Sequence, residues 1–294
     1  MIAEKNPVKR LGNQLFFTGP TFFAFIMTLL VPFGYGLYLT LFEMAGVQST
    51  PVFVGLENYV MALQDTEFWA SMWVTLKYVG ATVIFVNILG FALAYLVTAG
   101  VKGQNFFRTA LFTPNLIGGL VLGYIWQFVF VTSLPVFGER FDIEILKLGW
   151  LGDEVLAFWA LVIVTIWQSA GYMMIIFIAG IMNVPKDIIE ASTIDGANAW
   201  QRLINMTLPM MVPSFVVTIF LTLKGAFMVY DINYALTQGG PYGSTKMASM
   251  HVVGLAFDQS NFGLGQAEAI VLFAVVAIAT GLQVYFSKRL EVEA

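Results

Sequence analysis

Six long apolar runs divide the chain, each close to the length a helix needs to cross the hydrocarbon core of a bilayer. They cover residues 16–41, 71–98, 109–131, 156–182, 212–233 and 264–286. The runs are continuous and do not alternate with period two, so they predict helices and not the strands of a barrel. The predicted fold class is all-α integral membrane: six transmembrane helices within 16–288, a short segment 1–15 before them and a tail 289–294 after. Pro20, Pro32 and Pro114 lie in or near the runs; each removes a backbone donor and predicts a kink. The fifth run is the least regular, interrupted by Lys224 and Gly225 and carrying Asp231 near its end. The first run is too long for the apolar region of a signal peptide and lacks a small-residue cleavage site, so it is read as an uncleaved span.

The placement of basic residues orients the helices. With the N-terminus inside, Lys5, Lys9, Arg10, Lys102, Arg108, Lys186, Arg202, Lys288 and Arg289 face the cytoplasm, and Lys77, Arg140, Lys147 and Lys246 face outward. The positive-inside rule then places both termini in the cytoplasm, which an even number of spans requires. Trp69, Trp73, Trp150 and Trp159 gather at the expected outer boundary, as an aromatic belt does. The outer loops are acidic, with Glu43, Glu57, Asp65 and Glu67 in the first and Glu139, Asp142, Glu144, Asp153 and Glu154 in the second. That acidity reads either as solvated surface or as a docking site for an extracytoplasmic partner.

Composition agrees with a bilayer as the main solvent. Charged residues make up 11% and apolar ones 59% of 294 residues, and the mean hydropathy is +0.80; a soluble domain carries about 25% charge. The absence of cysteine excludes disulfides, thiolate nucleophiles and Cys-ligated metals. No basic stripe with interleaved aromatics supports nucleic-acid binding. His251 is the single histidine and by itself makes no metal site, so neither a metal nor a catalytic residue is expected.

Residues 183–211 form the longest cytoplasmic connection, between the fourth and fifth runs. Pro185 suits a first helical position, and Asp187 and Glu190 put negative charge in the first turns, which predicts a short helix. Gly196 is free to take the left-handed conformation that ends it, and a second short helix is expected from Ala197 to about Asn205. Ile188, Ile189, Ala191, Trp200, Leu203 and Ile204 would then be available to a partner's groove.

This connection closely resembles the cytoplasmic signature of permease subunits of binding-protein-dependent ABC importers. The family pattern is Glu-Ala-Ala, two residues, Asp-Gly-Ala, then Leu-Pro with a second Pro four residues on. Here it reads Glu190, Ala191, Ser192, then Asp195, Gly196, Ala197, then Leu208, Pro209 and Pro213, with Ser192 replacing the usual second Ala. The stretch from Tyr230 to Thr245, which contains Leu-Thr-Gln-Gly-Gly-Pro, is similar to the Leu-Thr-x-Gly-Gly-Pro loop of the maltose-permease-like sugar branch. The resemblance implies a multi-pass subunit of a prokaryotic cytoplasmic membrane. It also implies as partners a second homologous permease, a cytoplasmic ATPase dimer and an extracytoplasmic solute-binding protein. Glu190 would pair with a basic residue on the ATPase, Asp195 and Gly196 would fix the bend, and Ala191 and Ala197 would allow close approach. The chain has no Gly-x-x-x-x-Gly-Lys-Ser/Thr phosphate loop, so ATP and magnesium are expected on the partner ATPase and no cofactor in this chain.

Polar residues within spans usually face the bundle interior or a cavity. On the fourth run Thr165, Ser169 and Tyr172 recur at helical spacing with Gln168 adjacent; on the fifth, Thr218 and Thr222 are followed by Tyr230 and Asn233. Aromatic faces beside neutral hydrogen-bonding groups suit sugars. The substrate candidates are therefore Thr165, Gln168, Ser169, Tyr172, Thr222, Tyr230 and Asn233. Ser and Thr also serve as bonds between helices, and the sequence leaves that role open. Asn115 and Gln127 in the third run read as packing bonds. Lys224 reads as a contact for an anionic solute such as a glycerol phosphate, as a snorkelling side chain, or as a partner of Asp231. The last needs local unwinding, because the two are two helical turns apart. An ion-coupled secondary transporter is the remaining alternative; it would need an intramembrane carboxylate, with Asp231 the candidate, and it leaves the loop signature unexplained.

Overall fold

In hydrocarbon every backbone N–H and C=O must find a partner within its own segment, so apolar runs of this length close into helices. The computed structural model describes residues 7–44, 46 and 49–289. Lys5 and the rest of 1–6, together with 290–294 of the predicted tail, lie outside the described residues. In chain order the helices begin with α1 (Pro7–Phe25), a π-helical turn Ile26–Leu30 and α2 (Val31–Leu39). A two-residue antiparallel pair follows, β1 (Phe42–Glu43) with β2 (Val52–Phe53), Phe42 opposite Phe53. Then come α3 (Glu57–Gln64), α4 (Thr66–Thr98), α5 (Gln104–Phe112), α6 (Gly119–Phe128), α7 (Leu134–Phe141), α8 (Glu144–Lys147) and α9 (Glu154–Met182). The remainder is α10 (Lys186–Ile194), α11 (Ala199–Arg202), α12 (Leu208–Met210), α13 (Val212–Phe227), α14 (Asp231–Leu236), α15 (Ala248–Val253) and α16 (Phe262–Lys288).

Five helices among the described residues are long and apolar enough to span: Phe16–Leu39, Thr66–Thr98, Gly119–Phe141, Glu154–Met182 and Phe262–Lys288. A sixth span is counted if Ala199–Met210 and Val212–Phe227, bent by 68° at Met211, are taken together. Two predicted runs are corrected. The third, expected at 109–131, is broken: α5 gives way to a 3-10 turn at Thr113–Leu116 containing Pro114, Ile117 and Gly118 are extended, and the spanning helix runs from Gly119 to Phe141. The fifth, expected to continue to Asn233, stops at Phe227, and the backbone leaves helical geometry through Tyr230 before α14 begins. Asp231, the carboxylate foreseen within a span, lies past the end of the fifth helix, whereas Glu268, which was not foreseen, lies in the α16 span, fully buried.

The chain divides into two compact units, one of Met1–Asp65 with Val252–Val271 and one of Thr66–His251 with Leu272–Ala294. In the first, the Asn58 amide donates to the carbonyls of Thr40 (2.8 Å) and Phe42 (3.0 Å), tying α3 to the end of α2 and to β1. Gly263 lies directly against the Phe42 carbonyl, where any side chain would collide. In the second unit, α9 packs along α4 and α13. Val86, Ala94, Met173, Met174, Phe177 and Met211 form one buried cluster, and Tyr78, Leu161, Val164, Phe227, Leu236 and Met247 belong to another.

Glycines set the approach distances, as is usual where van der Waals packing holds membrane helices together. A Cβ on Gly90 would come within 2.9 Å of Met173 Cβ, and one on Gly123 within 2.9 Å of the Ile232 carbonyl oxygen. Gly171 of α9 meets the Leu111 carbonyl at the end of α5 so closely that no side chain fits. Polar ends are capped: Asp153 accepts from the Val155 and Leu156 amides at 2.9 Å to start α9. Among the acidic loop residues, Asp142 and Glu144 each hold the Lys147 ammonium at 2.6 Å, which raises its pKa above the usual lysine value.

Gly171→Ala should therefore lower stability by about 1–3 kcal/mol through overpacking. Gly80→Ala, whose added methyl meets nothing within 4 Å, should leave it unchanged or raise it. Thermal unfolding midpoints of the two variants in detergent check this; equal midpoints would count against the close α9–α5 contact.

Candidate functional site

Where α13 ends, α4, α9 and α13 line an open-sided cavity of about 500 Å³, within the range that holds small-molecule ligands. Thr165, Gln168, Ser169 and Tyr172 line it from α9, Thr222 from α13 and Tyr230 from the break. Several of these groups also make internal bonds. The Thr165 hydroxyl lies 2.7 Å from the Tyr78 hydroxyl, and Thr222 donates to the Thr218 carbonyl at 2.6 Å while accepting from the Asn87 amide at 3.4 Å. The Gln168 amide donates to the Ile117 carbonyl at 3.1 Å, so one residue both lines the cavity and steadies the broken third span. Tyr172 packs its ring near Phe112, at 6.3 Å between centroids, and Tyr230 stacks with Tyr234 at 5.7 Å. Ser169 and Tyr172 make no side-chain hydrogen bond among the described residues.

Asn233 is corrected. It is fully buried and does not line the cavity. Its amide donates to the Thr245 carbonyl at 2.6 Å, and its oxygen accepts from the Thr237 hydroxyl at 2.7 Å. The Thr237 and Thr245 hydroxyls are 2.7 Å apart, and Thr245 donates to the Gly240 carbonyl at 2.9 Å. The Leu-Thr-Gln-Gly-Gly-Pro segment is thus stapled to α14 through Asn233. Its helical spacing from Tyr230 carries no information about the break between α13 and α14, and the break turns the two residues to different surroundings.

Tyr78 and Thr82 of α4 line the cavity as well and were not foreseen. Their i, i+4 spacing in the second run was the available signal. Lys224 and Asp231 are the charged members of the lining. No salt bridge joins them to each other or to any described residue, so of the alternatives for Lys224 the pairing with Asp231 is not formed. Gln127 fulfils the packing role expected of it, donating to the Leu236 carbonyl at 3.4 Å.

The connection between α9 and α13 is a helical elbow. Pro185 stands just before α10 in extended geometry, one position earlier than the first helical position expected, and makes no capping bond. Asp195 closes the helix and Gly196 takes φ +81°, the left-handed conformation anticipated for it. The Ala197 amide returns to the Ser192 carbonyl at 2.9 Å, and Ser192 is buried with its hydroxyl donating to the Ile189 carbonyl at 2.8 Å. The second helix starts at Ala199, not Ala197, because Asn198 and Gln201 form a reciprocal capping box. It also continues past Asn205 through a π-helical turn to Met210. The Arg202 guanidinium donates to the Ala197 carbonyl at 2.6 Å across the bend. Glu190 and Ala191 are exposed on α10, while Ile194 (87%) and Trp200 (68%) leave most of their apolar surface uncovered.

Comparison with known proteins covers most of the chain. Residues 86–292 match the family described as binding-protein-dependent transport system inner membrane component. A probable starch degradation products transport system permease protein of Thermoanaerobacterium thermosulfurigenes is 42% identical over 277 residues, 94% of each chain. A multiple sugar-binding transport system permease protein of Streptococcus mutans is 32% identical over 290 residues, covering 97% of this chain and 99% of its own. The fold is that of a bacterial alginate ABC transporter chain, with TM-score 0.83 over 97% of this chain and 96% of that one, at 20% identity. The broken spans, the elbow between α10 and α11 and these matches lead to one conclusion: the chain belongs to the family of binding-protein-dependent transport system inner membrane components, the membrane-embedded permeases of ABC importers.

Proposed function

We propose that this permease moves a sugar or oligosaccharide inward across the cytoplasmic membrane of a prokaryote by alternating access, driven by ATP hydrolysis on a separate subunit. The cavity at the break in α13 carries the reading. It sets aromatic rings (Tyr172, Tyr230) beside neutral hydrogen-bonding groups (Thr165, Gln168, Ser169, Thr222), the combination that meets the apolar faces and hydroxyl edges of a pyranose. Relatives named for starch degradation products, multiple sugars, and trehalose and maltose point to the same substrate class. A solved relative is described in complex with an alginate pentasaccharide-bound periplasmic protein, which supports an extracytoplasmic binding protein as the donor of the solute.

The elbow formed by α10 and α11 is the coupling element, with both termini on its side of the membrane. Glu190 offers an exposed carboxylate to a basic residue of the ATPase. Ala191 and Ala197 keep the surface low enough for close approach, and Ser192, Asp195 and Gly196 hold the bend. A second permease of similar fold completes the translocation path. When the ATPase dimer closes on ATP, rigid elbows transmit the movement to the spans they join.

Two experiments test this. Glu190→Ala should abolish ATP-driven uptake and loosen the ATPase while leaving membrane insertion intact. Gly196→Pro should do the same, because proline cannot adopt φ near +81°. Normal assembly and uptake in both variants would refute the coupling role. For the cavity, Ser169→Ala and Tyr172→Ala should raise the sugar concentration for half-maximal uptake about three- to tenfold, the loss of one neutral hydrogen bond each. Uptake at limiting sugar equal to wild type would remove those residues from the site.

A further inference from the structure

We infer that Lys224 and Asp231 act together as the specificity element of the cavity, one donor and one acceptor for the hydroxyls of an uncharged sugar and a filter against charged ones. The inference rests on the sugar reading above and names residues that reading does not use.

A charged side chain within a spanning segment, as Lys224 is, is costly, and where it occurs it faces a cavity and marks the solute path; Asp231 opens α14 just past the end of that segment. In an unbroken helix, Lys224 and Asp231 would be about 10 Å apart along the axis. The loss of helical geometry between Phe227 and Asp231 places both on the wall of the same cavity. The neutral groups around them are partly committed to the protein: Thr165 to Tyr78, Thr222 to Thr218, Gln168 to Ile117. Lys224 and Asp231 are not, because neither forms a salt bridge or a side-chain hydrogen bond among the described residues. Both are exposed in this chain, so their bonding capacity is open to a solute that fills the cavity.

That capacity is complementary to a polyol. An ammonium has three donors and no acceptor, whereas a carboxylate has two acceptor oxygens and no donor. Two neighbouring sugar hydroxyls donate to the two oxygens of Asp231, and a hydroxyl or ring oxygen accepts from Lys224. Charge-assisted bonds of this kind are roughly twice as strong as neutral ones. The two anchors differ in stiffness. A Cβ on Gly119 would come within 2.8 Å of Asp231 Cβ, so α6 presses against the backbone that carries the carboxylate. Lys224 has a long flexible side chain and is exposed. One acceptor is held and one donor follows the solute. A sugar acid gains from the ammonium but is repelled by the carboxylate, so the pair gives it no net advantage. Selectivity arises from that difference and not from the attraction alone.

The test is direct binding to the purified complex of the permeases with their ATPase, without the binding protein, so that receptor selectivity does not enter. The probes are maltotetraose and a uronic-acid tetrasaccharide, measured by calorimetry on complexes shown by gel filtration to be assembled. Wild type should prefer maltotetraose. Lys224→Met and Asp231→Asn should each weaken maltotetraose about tenfold or more, the loss of a charged hydrogen bond. They should also move the preference in opposite directions: Asp231→Asn toward the uronate, Lys224→Met further from it. Should Asp231→Asn fail to assemble, Asp231→Ser makes the same comparison. An unchanged maltotetraose-to-uronate ratio in the Lys224 and Asp231 variants overturns the inference while leaving the sugar reading intact. A wild-type complex that binds neither probe and takes up no sugar overturns the sugar reading itself.

Discussion

A helix inside a bilayer can be interrupted only where the protein takes over the hydrogen bonds that the interruption frees. The site depends on that constraint, because two of the predicted apolar runs leave helical geometry beside it. The third run does so at Ile117 and Gly118, just before the spanning helix Gly119–Phe141, and the Ile117 carbonyl released there is bonded by the Gln168 amide from α9. The fifth span loses it between Phe227 and Asp231, where Ser249 donates to the Val229 carbonyl at 2.5 Å. Each break is stitched by a neighbouring element, and the space between the stitches is the cavity. A polar cavity inside a membrane protein is in this sense a by-product of broken helices whose backbone has been satisfied elsewhere.

The stitches hold because the helices come unusually close. Gly171 under the Leu111 carbonyl, Gly90 against Met173, and Gly119 and Gly123 against α14 remove the side chains that would otherwise keep backbones apart. Lipid supplies no hydrophobic drive between helices, so close packing has to do that work. The same glycines decide which polar groups reach the cavity. With α14 drawn onto α6, Asp231 is at its wall and Asn233 is buried behind it, bonded to Thr245 and Thr237.

The elbow between α9 and α13 is built on different terms. Its geometry is local: a left-handed Gly196, a capping box between Asn198 and Gln201, and Arg202 reaching back to Ala197. Rules of this kind operate over three to five residues and need no tertiary partner, which is why the bend at Gly196 could be anticipated from sequence. The boundaries of its helices could not be placed to the residue, because Asn198 takes the cap in preference to residues just before it and the helix beyond Arg202 is prolonged through a π-helical turn.

The amino-acid sequence by itself determined the solvent, the helical class, the spans without breaks and the position of the left-handed bend. Each follows from hydrophobic periodicity or from the conformational freedom of one residue. It also marked Thr165, Gln168, Ser169, Tyr172, Thr222 and Tyr230, because a polar group in an apolar run is conspicuous wherever it points. Tertiary structure decided where the third and fifth spans break, that Tyr78 and Thr82 share the cavity, that Asn233 staples a loop, and that Lys224 and Asp231 meet one space without meeting each other. The reason is common to all four. Each depends on how far a neighbouring helix can approach, and that distance is set by glycines and carbonyls on a different part of the chain.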